Sequence, residues 1–362
     1  MQRDRTTPPQ PRAAIRAMHP YEWEPPSAAI ARQAGVPEDQ VVRFDTNTFP
    51  WPGAGLDHLP PLALNEYPDT SYGTLTEAIA DYVDVPTDRI TVGAGADEIL
   101  DLCAKAYIDP STPVVISRPS YPMFRILSEI AGGPIREVQA IDLRLDRTAF
   151  LEAARDAGLT WLCNPNNPTG ELLPLDFIAE LVSHSRGVVV VDEAYFEMSG
   201  VTAASLIETM PNVVVIRTLS KAFGLAGVRV GYALAGRSIS DALRRVRPPG
   251  SISVVSEALG TTSLRDLAGM RVRVAAIVEE RARLTRELSK LGLEVRESAA
   301  NFLLVRAGRA AAPALLTRGL VVRTFPATAP QAEYIRVTVR RPEENDRLVE
   351  ALALLRPAPG PT

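Results

Sequence analysis

The sequence predicts an α/β fold with a largely parallel sheet, joined to a second, smaller α+β unit. Three observations carry this. Short β-branched runs recur that are mostly apolar on both faces, among them PVVIS, IREVQ, LTWLCN, GVVVVDEA, NVVVIRT and VRVGYAL, as in strands covered on both sides. Helix-length segments separate them, the alternation of a sheet built by crossovers. After RPPGSIS the texture changes to long Arg/Glu-rich stretches and shorter, weaker strand signals.

In chain order, residues 1–14 are polar and proline-rich and read as a disordered arm. Residues 15–49 read as an N-terminal segment joining the small unit. The large unit spans 50–250: TLTEAIADYV is helix-periodic, RITVGAG is a strand running into a glycine turn, and ADEILDLCAKAY is helical again. The small unit spans 251–356. Residues 253–291 hold long helical stretches, among them MRVRVAAIVEERARLTRELSKL, with many i,i+4 charge pairs. GLEVRES, NFLLVRAG, LVVRTF and YIRVTVR follow as strands, with a helix near 310–318 and a last helix from Pro342. Residues 357–362 read as a disordered tail.

Composition excludes several classes of function. The chain has 362 residues, 46% hydrophobic and 23% charged, and a net charge of −4. Nothing there favours nucleic acid or an anionic membrane as partner. Two cysteines, Cys103 and Cys163, cannot build a disulfide framework, and three scattered histidines make a histidine metal site improbable. No signal-peptide pattern opens the sequence and no apolar run approaches a membrane span, so a cytoplasmic location is expected.

Four stretches concentrate chemistry. TVGAGADEIL (91–100) sets two glycines between strand and helix, either a simple turn or a helix start whose free N–H groups bind phosphate. WLCNPNNPTGELL (161–173) places three asparagines at a strand's C-terminal end, as loop caps or as ligand contacts. VVVVDEAYFEM ends a buried strand in Asp192, which caps the next helix or meets a buried cation. RTLSKAFGLAGVRVGY gathers Thr218, Ser220, Lys221 and Arg229, a phosphate anchor beside an amine. The chain has only three lysines, Lys105, Lys221 and Lys290, against a large excess of arginine. Lys221 sits among small and apolar residues, where a bare surface charge looks out of place, and unlike arginine it can act as an amine nucleophile.

These stretches, with PSY (119–121) and YIRVTV (334–339), resemble in order the pyridoxal-phosphate aminotransferases of fold type I, in particular the histidinol-phosphate aminotransferase group. The resemblance runs from about His19 to Leu355. It implies that Lys221 bonds covalently to the cofactor and then serves as base and acid. Asp192 pairs with the pyridinium nitrogen, Tyr195 and Asn167 hydrogen-bond the ring oxygen, and Tyr121 stacks on the ring. Gly95, Ala96, Asp97, Thr218, Ser220 and Arg229 hold the phosphate, with Tyr67 reaching in from the other subunit of a homodimer. Arg336, Arg323, Tyr21, Asn47 and Asn167 face the substrate. An amino donor and a 2-oxo acid are the implied partners, with histidinol phosphate and 2-oxoglutarate leading. An aromatic or other specialised amino acid is the alternative, followed by threonine-phosphate decarboxylation or a non-catalytic cofactor-binding protein. The chain departs from the group at Pro248-Pro249-Gly250, in RFDTNTFPWPG, and at Arg340 and Arg341, which add charge just beyond Arg336, all around the substrate pocket.

Overall fold

The computed structural model describes residues 10–18, 25–53, 55 and 59–355. Its strands are β1 (Val42–Arg43), β2 (Ile90–Gly93), β3 (Val114–Arg118), β4 (Ile135–Gln139), β5 (Leu159–Cys163), β6 (Val188–Asp192), β7 (Val213–Thr218), β8 (Gly231–Ala235), β9 (Glu294–Val295), β10 (Phe302–Arg306), β11 (Leu320–Val321) and β12 (Tyr334–Thr338). Seven of them form one sheet in the order β2-β8-β7-β6-β5-β3-β4. All its neighbours pair parallel except β8, which runs antiparallel to both β2 and β7. The other six strands therefore end on one edge.

The apolar runs form strands because both faces are covered. Val189, Val191, Val213 and Val215 enter one core, while Val188, Val190, Val214 and Ile216 enter the other. The period of two sends successive residues to opposite sides. Each fully buried valine contributes roughly 1.5–3 kcal/mol relative to exposure. The helices Gly95–Tyr107, Pro122–Ala131 and Arg237–Val246 cover one face through residues such as Ile99, Phe124 and Leu243. Gly73–Val83 and Leu175–His184 help cover the other through Leu75, Ile79 and Leu181.

Beyond the large sheet, β12, β10 and β9 form an antiparallel sheet in that order. β1 pairs parallel with β11, so residues near the start of the chain lie beside residues near its end. LVVRTF contributes only two ladder residues, because it pairs with β1 and then makes a single bridge, Arg323 to Arg336. The helical stretch after 250 is two helices, Val254–Arg265 and Leu267–Lys290. The break falls at Asp266, whose carboxylate accepts the Gly269 N–H at 3.1 Å and caps the second helix. Val254–Arg265 packs against Gly73–Val83, with Gly260 close to Leu75, Leu219 and Val230 of the large unit.

At the start of the described chain, Ala13–Ala17 forms a short helix against Pro122–Ala131, and the Arg12 side chain bonds the Ile130 carbonyl. The last residues of the expected loose arm, 10–14, are thus placed by a contact composition does not reveal. The rest of that arm and the tail 357–362 lie outside the described residues. No described helix is long and apolar enough to cross a membrane.

Candidate active site

The site forms on the edge where the parallel strands end. After β2 the chain turns at Gly95, which has φ +83° and opens the helix Gly95–Tyr107. A side chain on Gly95 would overlap the Arg229 guanidinium, and one on Gly231 would overlap the backbone of Gly95 and Ala96. The two glycines let a helix start, a strand start and an arginine meet in one place. Arg229 pairs with Asp97 at 3.1 Å and donates to Ser220 Oγ at 3.4 Å. The Thr218 hydroxyl lies 2.9 Å from Ser220 Oγ and accepts the Ser220 N–H at 3.1 Å. Tyr121, at the end of the loop after β3, donates its hydroxyl to Asp97 at 2.8 Å. This is a nest of hydroxyls, an arginine and helix N–H groups, suited to an anion.

Asp192 ends β6 with 3% of its surface exposed. Its carboxylate accepts one N–H, from Ala194 at 3.0 Å. Burial pushes its carboxyl up to about 7, Asp97 and Glu193 add to the rise, and Lys221 opposes it. Lys221 follows β7. Burial pushes its ammonium down to about 8, aided by the nearby charges of Arg336 and Arg229. About a tenth of the amine is therefore unprotonated at pH 7, against less than about a thousandth for a surface lysine. Its Nζ lies 5.6 Å from the centre of the Tyr195 ring.

Tyr195 packs edge-on against Phe302 at 5.3 Å, and its hydroxyl accepts from Asn47 Nδ2 at 3.0 Å. Arg336 donates to Asn167 Oδ1 and to the Asp45 carbonyl, each at 2.6 Å. The antiparallel bridge sets Arg323 directly opposite Arg336, so the two side chains leave the same face.

The structure thus draws together the residues expected around cofactor and substrate, with two exceptions. Tyr67 is 95% exposed and hydrogen-bonds to none of them. Tyr21 lies outside the described residues. Of the three asparagines after β5, only Asn167 meets Arg336. Asn164 closes its own loop on Leu173, and Asn166 is spent on Ser120, Pro119 and Thr169. Arg340 and Arg341, read from sequence as added pocket charge, are engaged elsewhere: Arg340 pairs with Glu344 at 3.0 Å, and Arg341 donates to the Pro50 carbonyl at 3.2 Å. Sequence reasoning missed Thr338 and Asn301, both fully buried around Asn47. The signal for Thr338 was its place two residues from Arg336 on one strand.

An anion nest, a depressed lysine and an acceptor carboxylate buried without an ion-pair partner among the described residues make up a donor set that fits pyridoxal phosphate. The carboxylate suits a protonated ring nitrogen, the amine a carbonyl carbon, and the nest a phosphate. The fold and site define a pyridoxal-phosphate-dependent enzyme.

A model of the family described as aminotransferase class I and II matches residues 54–352, and the chain belongs to that family. The histidinol-phosphate aminotransferase of Thermococcus gammatolerans is 39% identical over 318 residues, covering 86% of this chain and 91% of the relative. That of Roseiflexus castenholzii is 34% identical and covers 94% and 96%. Among solved structures, histidinol-phosphate aminotransferase from Sinorhizobium meliloti, in complex with pyridoxal-5'-phosphate, superposes with a TM-score of 0.86 at 26% identity, covering 97% of this chain and 100% of that one.

Proposed function

We propose that the chain transfers the amino group of histidinol phosphate to 2-oxoglutarate. The observation that carries this is the Arg323–Arg336 bridge, which starts two arginine side chains from one face, with the charge of Arg336 near enough to Lys221 to lower its ammonium. A phosphate monoester carries nearly two negative charges at neutral pH, and paired planar donors suit it. Relatives at 34–40% identity carrying that enzyme name support the same reading.

In this reading the bound cofactor supplies an electron sink next to the substrate carbon. Lys221 Nζ removes the proton from the carbon bearing the amine and returns one in the reverse half-reaction. Asp192 holds the proton on the ring nitrogen, while Tyr195 and Asn167 hold the ring oxygen. Tyr121 covers one ring face. Gly95, Ala96 and Asp97 offer backbone N–H groups to the phosphate, together with Thr218, Ser220 and Arg229. Arg336 and Arg323 grip the anionic ends of both substrates in turn, with Asn47 nearby. The exposed ring of Tyr67 reaches the phosphate site of a second copy, making a homodimer with shared sites. The chain works as a large unit over 50–250 and a small unit over 251–356 joined by 15–49.

Specificity constants for histidinol phosphate, histidine, phenylalanine and tyrosine test the substrate. Histidinol phosphate leads, and Arg323→Ala lowers its kcat/KM roughly 10–100-fold, the loss of one charge-assisted contact, with a smaller effect on glutamate. Phenylalanine or tyrosine outrunning histidinol phosphate would sink this reading in favour of the aromatic alternative. The departures at Pro249 and Gly250 and in DTNTFPWPG are the observations behind that alternative.

A further inference from the structure

β12 carries Arg336 and Thr338 two positions apart, hence on one face. Arg336 reaches the cleft. Thr338 is fully buried behind it. Its hydroxyl donates to the Phe44 carbonyl at 2.7 Å and accepts the Asn47 N–H at 2.9 Å. From the start of β10, Asn301 Nδ2 donates to the Asn47 carbonyl at 3.1 Å. These bonds grip Asn47 at both of its peptide groups and hold it at φ +52°, a left-handed conformation that asparagine tolerates better than most residues. The Asn47 side chain then lies between two hydroxyls: Oδ1 is 3.2 Å from Thr338 Oγ1, and Nδ2 is 3.0 Å from Tyr195 Oη. A tyrosine hydroxyl owns one proton. With the Asn47 N–H occupying a lone pair, that proton is left to point into the cleft.

We propose that Thr338 is a positioning residue for Tyr195. Acting through Asn47, it fixes the direction in which the Tyr195 hydroxyl donates, and it ties that donation to the strand that carries Arg336. The inference rests on the reading of the cleft as a pyridoxal-phosphate site. Its consequence is mechanical. Arg336 and Thr338 are rigidly spaced on β12, so a shift of that strand when an anionic substrate engages Arg336 also moves Asn47 against Tyr195.

Several charged or titratable groups face Tyr195 from the elements packed around it. They are Arg336 from β12, Cys163 from β5, Asp192 from β6, and Lys221 from the loop after β7. Burial pushes the phenol up, while Arg336 and the Asn47 bond pull it back. Thr338→Val removes one hydroxyl at nearly constant volume and leaves every one of those charges in place.

The test titrates the visible absorbance band of the reconstituted holoenzyme against pH. A weaker donation from Tyr195 leaves the cofactor's ring oxygen more basic, so the midpoint in Thr338→Val rises, by about half to one pH unit for one hydrogen bond. Thr338→Ser, which keeps the hydroxyl, holds the wild-type midpoint. With glutamate as donor, kcat falls several-fold in the valine variant and recovers in the serine one. Melting of the cofactor-free proteins reports folding separately. If the valine variant does not fold, Thr338→Cys, with a weaker donor of similar size, gives a midpoint raised by less. An unshifted midpoint in a folded valine or cysteine variant overturns the proposal. So does a serine variant that shifts as far as valine, since packing would then be the cause. A wild-type protein without any visible band defeats the cofactor reading itself, a result distinct from a band whose midpoint ignores position 338.

Discussion

Two carboxylates stand side by side at the end of β6 and face opposite sides of the sheet. Glu193, 1% exposed, looks to the reverse side. It receives Arg217 Nε at 3.1 Å, the Thr202 hydroxyl at 2.8 Å and the Ala203 N–H at 2.6 Å. Arg217 also donates to Thr202 at 2.7 Å, and its guanidinium lies 3.6 Å from the centre of the Phe196 ring. Asp192, 3% exposed, looks to the cleft with one backbone N–H and no ion pair among the described residues. Burial alone therefore does not separate structure from function. What separates them is whether the buried charge has used up its partners. The reverse-side network has, and it ties the ends of β6 and β7 together. The cleft side keeps capacity for something else.

The sharpest way to break this contrast is at Lys221. Lys221→Arg keeps a positive charge and lowers turnover by roughly ten-thousandfold or more, because the amine itself is lost. Borohydride reduction of the wild-type holoenzyme fixes the label on the peptide containing Lys221. A label on Lys105 or Lys290 would end the assignment. Mixed with Tyr67→Phe chains and allowed to exchange subunits, the Lys221→Arg protein regains activity, since one site of each mixed dimer has both side chains intact. Demonstrated exchange without recovery rules out shared sites.

On the reverse side the effect moves from rate to stability. Arg217→Met strips the cation from buried Glu193, and the unfolding free energy falls by about 3–5 kcal/mol. Turnover per folded molecule stays within about threefold. Urea unfolding and active-site titration read the two quantities. A variant that is stable but slow would place this network on the functional side and dissolve the comparison.

Asp192→Asn sharpens the contrast from the cleft side. Turnover drops by about 100- to 1000-fold, the scale of one electrostatic contact to developing charge. The cofactor-free protein carries a second signature. The Asp192 carboxyl titrates near 7 when folded, against 3.8 for the free group. Folding thus favours its protonated form. That stabilising contribution is full below about pH 3.8 and is lost as pH rises through about 7. Asn cannot ionise, so the variant loses less stability than the wild type between pH 4 and 8. Equal losses in both proteins would assign the titration to another group.

The cofactor half of the site was legible in the sequence because its residues are local. A lysine among arginines, an aspartate closing an apolar run and a glycine turn each look odd against their neighbours. The substrate half was read less well, for physical reasons. The Asn47–Thr338 contact spans 291 positions and Asn301–Asn47 spans 254, and no periodicity connects such segments. Arg340 and Arg341 looked like pocket charge because a sequence shows charge and not its partner. Glu344 and the Pro50 carbonyl are those partners. For Asn164 and Asn166 the sequence left loop caps and ligand contacts open, and their amides frame the loop that presents Asn167.

The single reversed strand, β8, has a consequence for the order of assembly. A parallel neighbour would send the chain after β7 to the far edge of the sheet through a crossover. The reversal brings it straight back, so Lys221 and Arg229 share one short loop, eight positions apart. Closing a loop costs free energy that grows with the logarithm of its length. For an otherwise unfolded chain, bringing Asn47 to Thr338 costs about 3 kcal/mol more than bringing Lys221 to Arg229. Contacts of short separation form sooner. A refolding chain therefore brings Lys221 and Arg229 together before its two ends meet to close the arginine side.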